Sequence, residues 1–225
     1  MKRFLCLTLA IFFSMSTFAA AEVYGVYFTP KFLVGIQSTG DFTKSNLLGA
    51  SFDRYSQAVF GGALAAGYNF APKFNVPIRT ELEFALRSST SNSKSGGGWA
   101  SSYSTKYLSN ISTLFLNAYF DIDTGTPFTP FVGGGLGMSF NYTEASGNVA
   151  MAVPGWGNAA FRTSGDDRST CFAWNVGAGV AYSFTENLAA ELGYRFIGAG
   201  YREINGALGN SPYINEFYTG LRVSF

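Results

Sequence analysis

From Ile78 to Arg87 the chain alternates residue by residue: Ile78, Thr80, Leu82, Phe84 and Leu86 fall on one parity, Arg79, Glu81, Glu83 and Arg87 on the other. A period of two is the signature of a β-strand with one apolar and one polar face. The rhythm returns along the chain. Leu64, Tyr68 and Phe70 oppose Gly61, Ala63 and Gly67; Leu114, Leu116 and Phe120 oppose Thr113, Asn117 and Asp121; Val132, Leu136 and Met138 oppose Gly133, Gly135 and Gly137. Phe172, Trp174 and Val176 oppose Ala173, Asn175 and Gly177; Leu192, Tyr194 and Phe196 oppose Glu191, Gly193 and Arg195; Phe217, Leu221 and Val223 oppose Glu216, Gly220 and Arg222. Phe115 breaks the alternation. A less regular strand near Val23 to Ile36, interrupted by Pro30, brings the expected number to eight.

The connections alternate in length. Gln37 to Tyr55, Ser88 to Tyr107, Thr143 to Thr170 and Arg202 to Pro212 are long and polar or glycine-rich, whereas Ala71 to Pro77, Asp123 to Thr129 and Thr185 to Asn187 are short. In an up-and-down sheet these two kinds gather at opposite ends, which is the asymmetry of an outer-membrane barrel. The 28-residue third loop leaves room for an extra hairpin and ten strands. After Ala21 no stretch reaches the roughly 18 consecutive apolar residues of a membrane helix, so the bilayer is crossed by strands. Only 13% of residues are charged and 47% are hydrophobic, too few charges for a water-facing surface. A soluble β-sandwich would need outer faces that are glycine-rich and nearly uncharged, and is set aside.

The expected fold is therefore all-β, an eight-stranded antiparallel up-and-down transmembrane barrel. The large apolar side chains face lipid, and glycine, alanine and a few charges face the bore. An eight-stranded barrel is only wide enough inside to be filled by side chains. Arg79, Glu81, Glu83, Arg87, Asp121, Glu191, Arg195, Glu216 and Arg222 are expected to form a lumen charge network that occludes the bore. Aromatic residues such as Phe70, Phe120, Phe128 and Phe184 at the short turns, and Phe140, Phe172 and Trp174 at the other end, fit interfacial girdles.

Residues 1–21 read as a signal peptide: Lys2 and Arg3, an apolar run from Phe4 to Phe18, then Ala19-Ala20-Ala21. The barrel domain is assigned to residues 22–225. Cys6 leaves with the peptide, and the remaining Cys171 cannot form an internal disulfide. The chain has no histidine, which removes every mechanism that uses an imidazole as base, shuttle or ligand.

The stretches LFLNAYFDIDTGTPFTPFVGGGLGMSF, WNVGAGVAYSFTENLAAELGYRFIGAG and EFYTGLRVSF resemble the small outer-membrane β-barrel family of opacity-type proteins, surface antigens and the membrane half of OmpA. The resemblance implies that Leu221, Val223 and Phe225 are the terminal signal read by the barrel-assembly machinery. It also implies, as partners, outer-membrane lipids and lipopolysaccharide, that assembly machinery, and a host or cell-surface ligand for the loops. The expected protein is a monomer in the outer membrane, with no cofactor, no metal, no catalysis and no nucleic-acid partner. Its expected role is structural and surface-interacting, adhesin- or antigen-like, through four long extracellular loops; the alternative is a small, low-conductance solute channel.

Three other features have plainer explanations. Gly133-Gly134-Gly135-Leu136-Gly137 and Gly177-Ala178-Gly179 are followed by no lysine and no helix, so they serve close strand packing rather than phosphate binding. Glu144, Asp166 and Asp167 match no calcium-loop spacing and read as solvated charges. Ser95 to Ser104, with Trp99 and Tyr103, reads as a flexible loop with two aromatic contacts open to a receptor.

Overall fold

The computed structural model describes residues 25–39, 55–98, 101–153, 157–200, 203–204, 207–208 and 212–225. Residues 1–21, the central part of the first expected loop, Trp99 and much of the fourth loop lie outside them. The strands are β1 (Val26–Thr39), β2 (Tyr55–Asn69), β3 (Ile78–Arg87), β4 (Thr90–Gly98), β5 (Ser101–Asp121), β6 (Phe128–Val153), β7 (Gly157–Ser183), β8 (Leu188–Gly198), β9 (Glu203–Ile204), β10 (Ala207–Leu208) and β11 (Tyr213–Ser224). A one-turn helix, α1 (Ala71–Phe74), sits in the first short connection.

The strands β1, β2, β3, β5, β6, β7, β8 and β11 pair antiparallel with their neighbours, and β11 closes on β1. This is a closed eight-stranded barrel. Closure is what the bilayer demands, because an unpaired backbone group in hydrocarbon costs several kcal/mol. The register fixes its dimensions. From Tyr27 the hydrogen-bonded row runs through Gly67, Glu81, Asn117, Gly135, Asn175, Ile197 and Ile214, and returns to β1 at Gln37, ten residues beyond its start. A stagger of ten over eight strands tilts the strands by roughly 40–45°.

On the outside, Phe172 and Tyr182 mark the two girdles on β7. They lie ten positions apart, about 34 Å along the strand and about 25 Å along the tilted barrel axis, the height of the apolar band in outer-membrane barrels. Phe128 packs tilted against Tyr182, and Tyr182 edge-on against Phe184, at the turn end; at the loop end Trp174 packs tilted against Phe196, which stacks on Tyr213.

Two of the expected loops are strand. Ser88 to Tyr107 contains β4 and the first part of β5, and Thr143 to Thr170 is the upper part of the β6–β7 hairpin, paired from Thr143 opposite Asp167 to Val153 opposite Gly157. The third loop therefore lengthens an existing hairpin and the barrel keeps eight strands. β4 continues β3 after a one-residue bulge: Ala85 faces Thr113, while Thr90 faces Ser109. Above the girdle, β4 to β7 form a four-stranded blade, and β6 carries about 45 Å of strand beyond Phe140.

Candidate functional site

The inward parity brings the expected charges together and adds one that the sequence reading did not name, Lys31. Five cations, Lys31, Arg79, Arg87, Arg195 and Arg222, meet five carboxylates, Glu81, Glu83, Asp121, Glu191 and Glu216. They form two chains. In the longer chain Arg87 donates to Glu216 through Nε at 2.6 Å and Nη2 at 3.1 Å; Arg195 donates to Glu216 through Nε at 2.8 Å and to Glu83 through Nη1 at 2.6 Å. Lys31 then bridges Glu83, at 2.8 Å, and Glu81. In the shorter chain Arg79 donates to Asp121 at 2.6 Å and to Glu191 at 3.0 Å, and Arg222 lies 3.1 Å from Glu191. Each chain is neutral by itself, which is how a buried ionic network avoids an uncompensated charge.

Aromatic rings pack around these cations. The Arg79 guanidinium lies 5.1 Å from the Tyr119 ring and 5.2 Å from that of Phe131, while Lys31 and Arg195 lie 5.2 and 5.3 Å from Tyr218. Space for the rings comes from glycine. Tyr27 stands opposite Gly67, Tyr119 opposite Gly133, Phe131 opposite Gly179 and Tyr218 opposite Gly193. A Cβ at any of these glycines would run into the facing ring. Within the glycine-rich runs, Gly133 and Gly179 are cross-strand recesses for lumen aromatics.

The bore is closed differently at its two ends. At the turn end a cavity of about 300 Å³ is bounded by Asp121, Asp123, Glu186 and Arg222. Side-chain exposure is 15% at Asp121 and 11% at Arg222, and 0% at Glu81, Glu83 and Glu216. Toward the loop end an apolar cluster joins the inward face: Ile197 follows Arg195 by two residues, Ile214 precedes Glu216 by two, and both cluster with Val59, Ile111 and Phe115, while the polar Gln37, Ser139 and Asn141 are buried as well. Phe115, which breaks the alternation in the sequence, is buried in this plug.

Above the plug stands the blade. Its β4 edge is covered at Ser91 by the Gln57 amide, which donates to the Ser91 carbonyl at 2.7 Å and accepts from its N–H at 2.9 Å. Tyr103 lies across Gly96 and remains half exposed, and Phe161 is exposed on β7. A lipid-facing wall, a filled bore and strands continuing past one girdle occur together in one closed sheet. The family model described as "Outer membrane protein beta-barrel domain" matches residues 5–225.

The chain belongs to the outer-membrane β-barrel family. It is 30% identical over 216 residues to the outer membrane protein PagN of Salmonella typhimurium, covering 89% of this chain and 85% of that protein. Among solved structures it is similar to neisserial surface protein A, with 21% identity and a TM-score of 0.49, covering 89% of this chain and 99% of the other. It is also similar to Ail, the attachment invasion locus protein of Yersinia pestis, with 13% identity and a TM-score of 0.43 over 89% and 99% of the two chains. With the family match over residues 5–225, the protein is an outer-membrane barrel of a Gram-negative envelope. Leu221, Val223 and Phe225 lie on the outward parity of β11, with Phe225 packed edge-on to Phe28 beside the closing strand pair.

Proposed function

We propose that the barrel is a non-catalytic anchor whose work is done by the blade at its loop end: a surface-interaction protein of adhesin or antigen type. The observation that carries this reading is the combination of a bore filled by two neutral ion-pair chains and an apolar plug with a β6–β7 hairpin that runs far past the girdle. A chain built to pass solute has no use for a sealed bore, whereas an anchor gains rigidity from it. Short turns on the periplasmic side and long connections outside are the rule for such barrels, so the blade faces the exterior. The outward residues between the girdles would meet outer-membrane lipid and lipopolysaccharide, and the terminal Leu221, Val223 and Phe225 would be read during assembly.

The test compares cells displaying the full chain with cells displaying a variant in which residues 146–164 are replaced by Asn-Gly, a two-residue turn that joins Ala145 to its partner Gly165. Adhesion to epithelial monolayers should fall with the trimmed blade while uptake of small antibiotics stays unchanged. The reverse pattern would support the solute channel instead.

A further inference from the structure

The ladder between β7 and β8 ends where Trp174 faces Gly198, yet β7 runs back to Gly157 with β6 paired along its other side. Residues 160–168 are exposed without interruption, and no described strand covers this edge. An edge of this length with no strand partner among the described residues is a template for another strand. β4, the other edge of the blade, is partly blocked by Gln57, so the two edges are not equivalent.

The charges on the β7 edge indicate which strand fits. Arg162 and Asp166 lie on the same face, four residues apart, and among the described residues neither has an ion-pair partner. An antiparallel copy of the same strand centred on Ser164 sets Arg162 opposite Asp166 of the other copy, twice, with Ala160 opposite Arg168. Sliding the centre to Gly165 sets Arg162 against Arg168, and sliding it to Asp166 sets that residue against itself. Charges on an edge usually discourage pairing; here a centre on Thr163 is neutral, with Arg162 opposite Ser164 and Asp166 opposite Ala160, and among these four registers only the one centred on Ser164 sets opposite charges against each other.

The symmetry says where the second copy must be. Antiparallel pairing of identical strands requires a two-fold axis perpendicular to the local sheet. In a barrel wall that axis runs parallel to the membrane, so it turns the second barrel upside down. Two barrels in one membrane share an orientation and cannot pair this way, whereas two barrels in facing membranes can. Ser164 lies eight residues beyond Phe172, about 27 Å along the strand, so the two girdles would stand at most about 55 Å apart.

We propose that the β7 edge, centred on Ser164, pairs with the same edge of a second copy of this chain on an opposing membrane. The proposal rests on the surface-interaction reading and names a partner for it. The full chain is reconstituted in phosphatidylcholine vesicles, and clustering is followed by light scattering. Wild-type vesicles should cluster. Arg162→Glu alone and Asp166→Arg alone should each slow clustering on the order of tenfold or more, because like charges then face each other. A mixture of Arg162→Glu vesicles with Asp166→Arg vesicles should cluster again, since each variant complements the other. Heat-modifiable gel migration of all three proteins checks that the barrels are folded. Wild-type vesicles that stay dispersed, single variants that cluster like wild type, or a mixture that stays dispersed would each overturn the proposal. None of those results touches the trimmed-blade adhesion test, so the broader reading stands or falls separately.

Discussion

At the residue scale the lumen is a test of electrostatic bookkeeping. Glu83 receives Lys31 and Arg195 at once and is fully buried. Glu83→Gln therefore leaves two buried cations short of a counter-charge, and should lower stability by about 3–5 kcal/mol, read from urea unfolding in lipid vesicles. Asp121→Asn removes a carboxylate of the shorter chain at a position that water reaches from the turn-end cavity, so its cost should be less than half as large; equal losses would show that burial does not set the scale. A steric prediction belongs beside it. Gly193→Ala drives a methyl into the Tyr218 ring and should cost about 1–3 kcal/mol as overpacking, and Tyr218→Leu in the same chain should recover most of that loss. Nine of the ten lumen charges could be read from the alternation alone. Those nine are four cations against five carboxylates, and the imbalance was itself a sign of a missing cation. Lys31 stayed hidden because Pro30 interrupts the strand, although Lys31 shares parity with Leu33 and Gly35 and opposes Phe32, Val34 and Ile36.

At the scale of elements, legibility ends where the membrane ends. Between the girdles one strand face meets lipid and the other meets the bore, so the two-residue rhythm is imposed on composition. Beyond Thr143 the described side chains on both faces of β6 and β7 are at least partly exposed. The hydrophobic period fades while the ladder continues, which is why Thr143 to Thr170 reads as a loop and folds as a hairpin. The serine and glycine run of β4 hides for the same reason, and the bulge between Ala85 and Thr90 disguises its continuity with β3. The blade should therefore be dispensable for folding. Replacing residues 146–164 by Asn-Gly should change barrel stability by less than about 1 kcal/mol, since surface changes away from the core rarely exceed that. Trypsin applied to intact cells provides a second measurement. Cleavage is expected after Arg162 and Arg168 on the exposed β7 edge, while Lys73, in the short connection between β2 and β3, should stay protected until the outer membrane is opened.

At the scale of the whole molecule, two seals of different chemistry stand in series along one bore. The apolar plug around Ile111, Ile197 and Ile214 closes the loop end, and the chain from Arg87 to Glu81 fills the middle with ion pairs that span β1, β3, β8 and β11. Either would suffice alone: an ion crossing the plug would be stripped of water, and an ion crossing the network would have to break pairs held in a low-dielectric interior. Purified protein in planar bilayers should then show no steady conductance. Changing Ile111, Ile197 and Ile214 together to alanine should still give a silent barrel, because the charged chain beneath is intact. Adding Arg195→Ala and Glu216→Ala to that variant removes the centre of the longer chain and a length of side chain from β8 and β11. Ionic leak should appear only in this combined variant, provided heat-modifiable migration shows a folded barrel. Steady current through the wild type would mean that the pairs open on their own, and the anchor reading would give way to a gated pore.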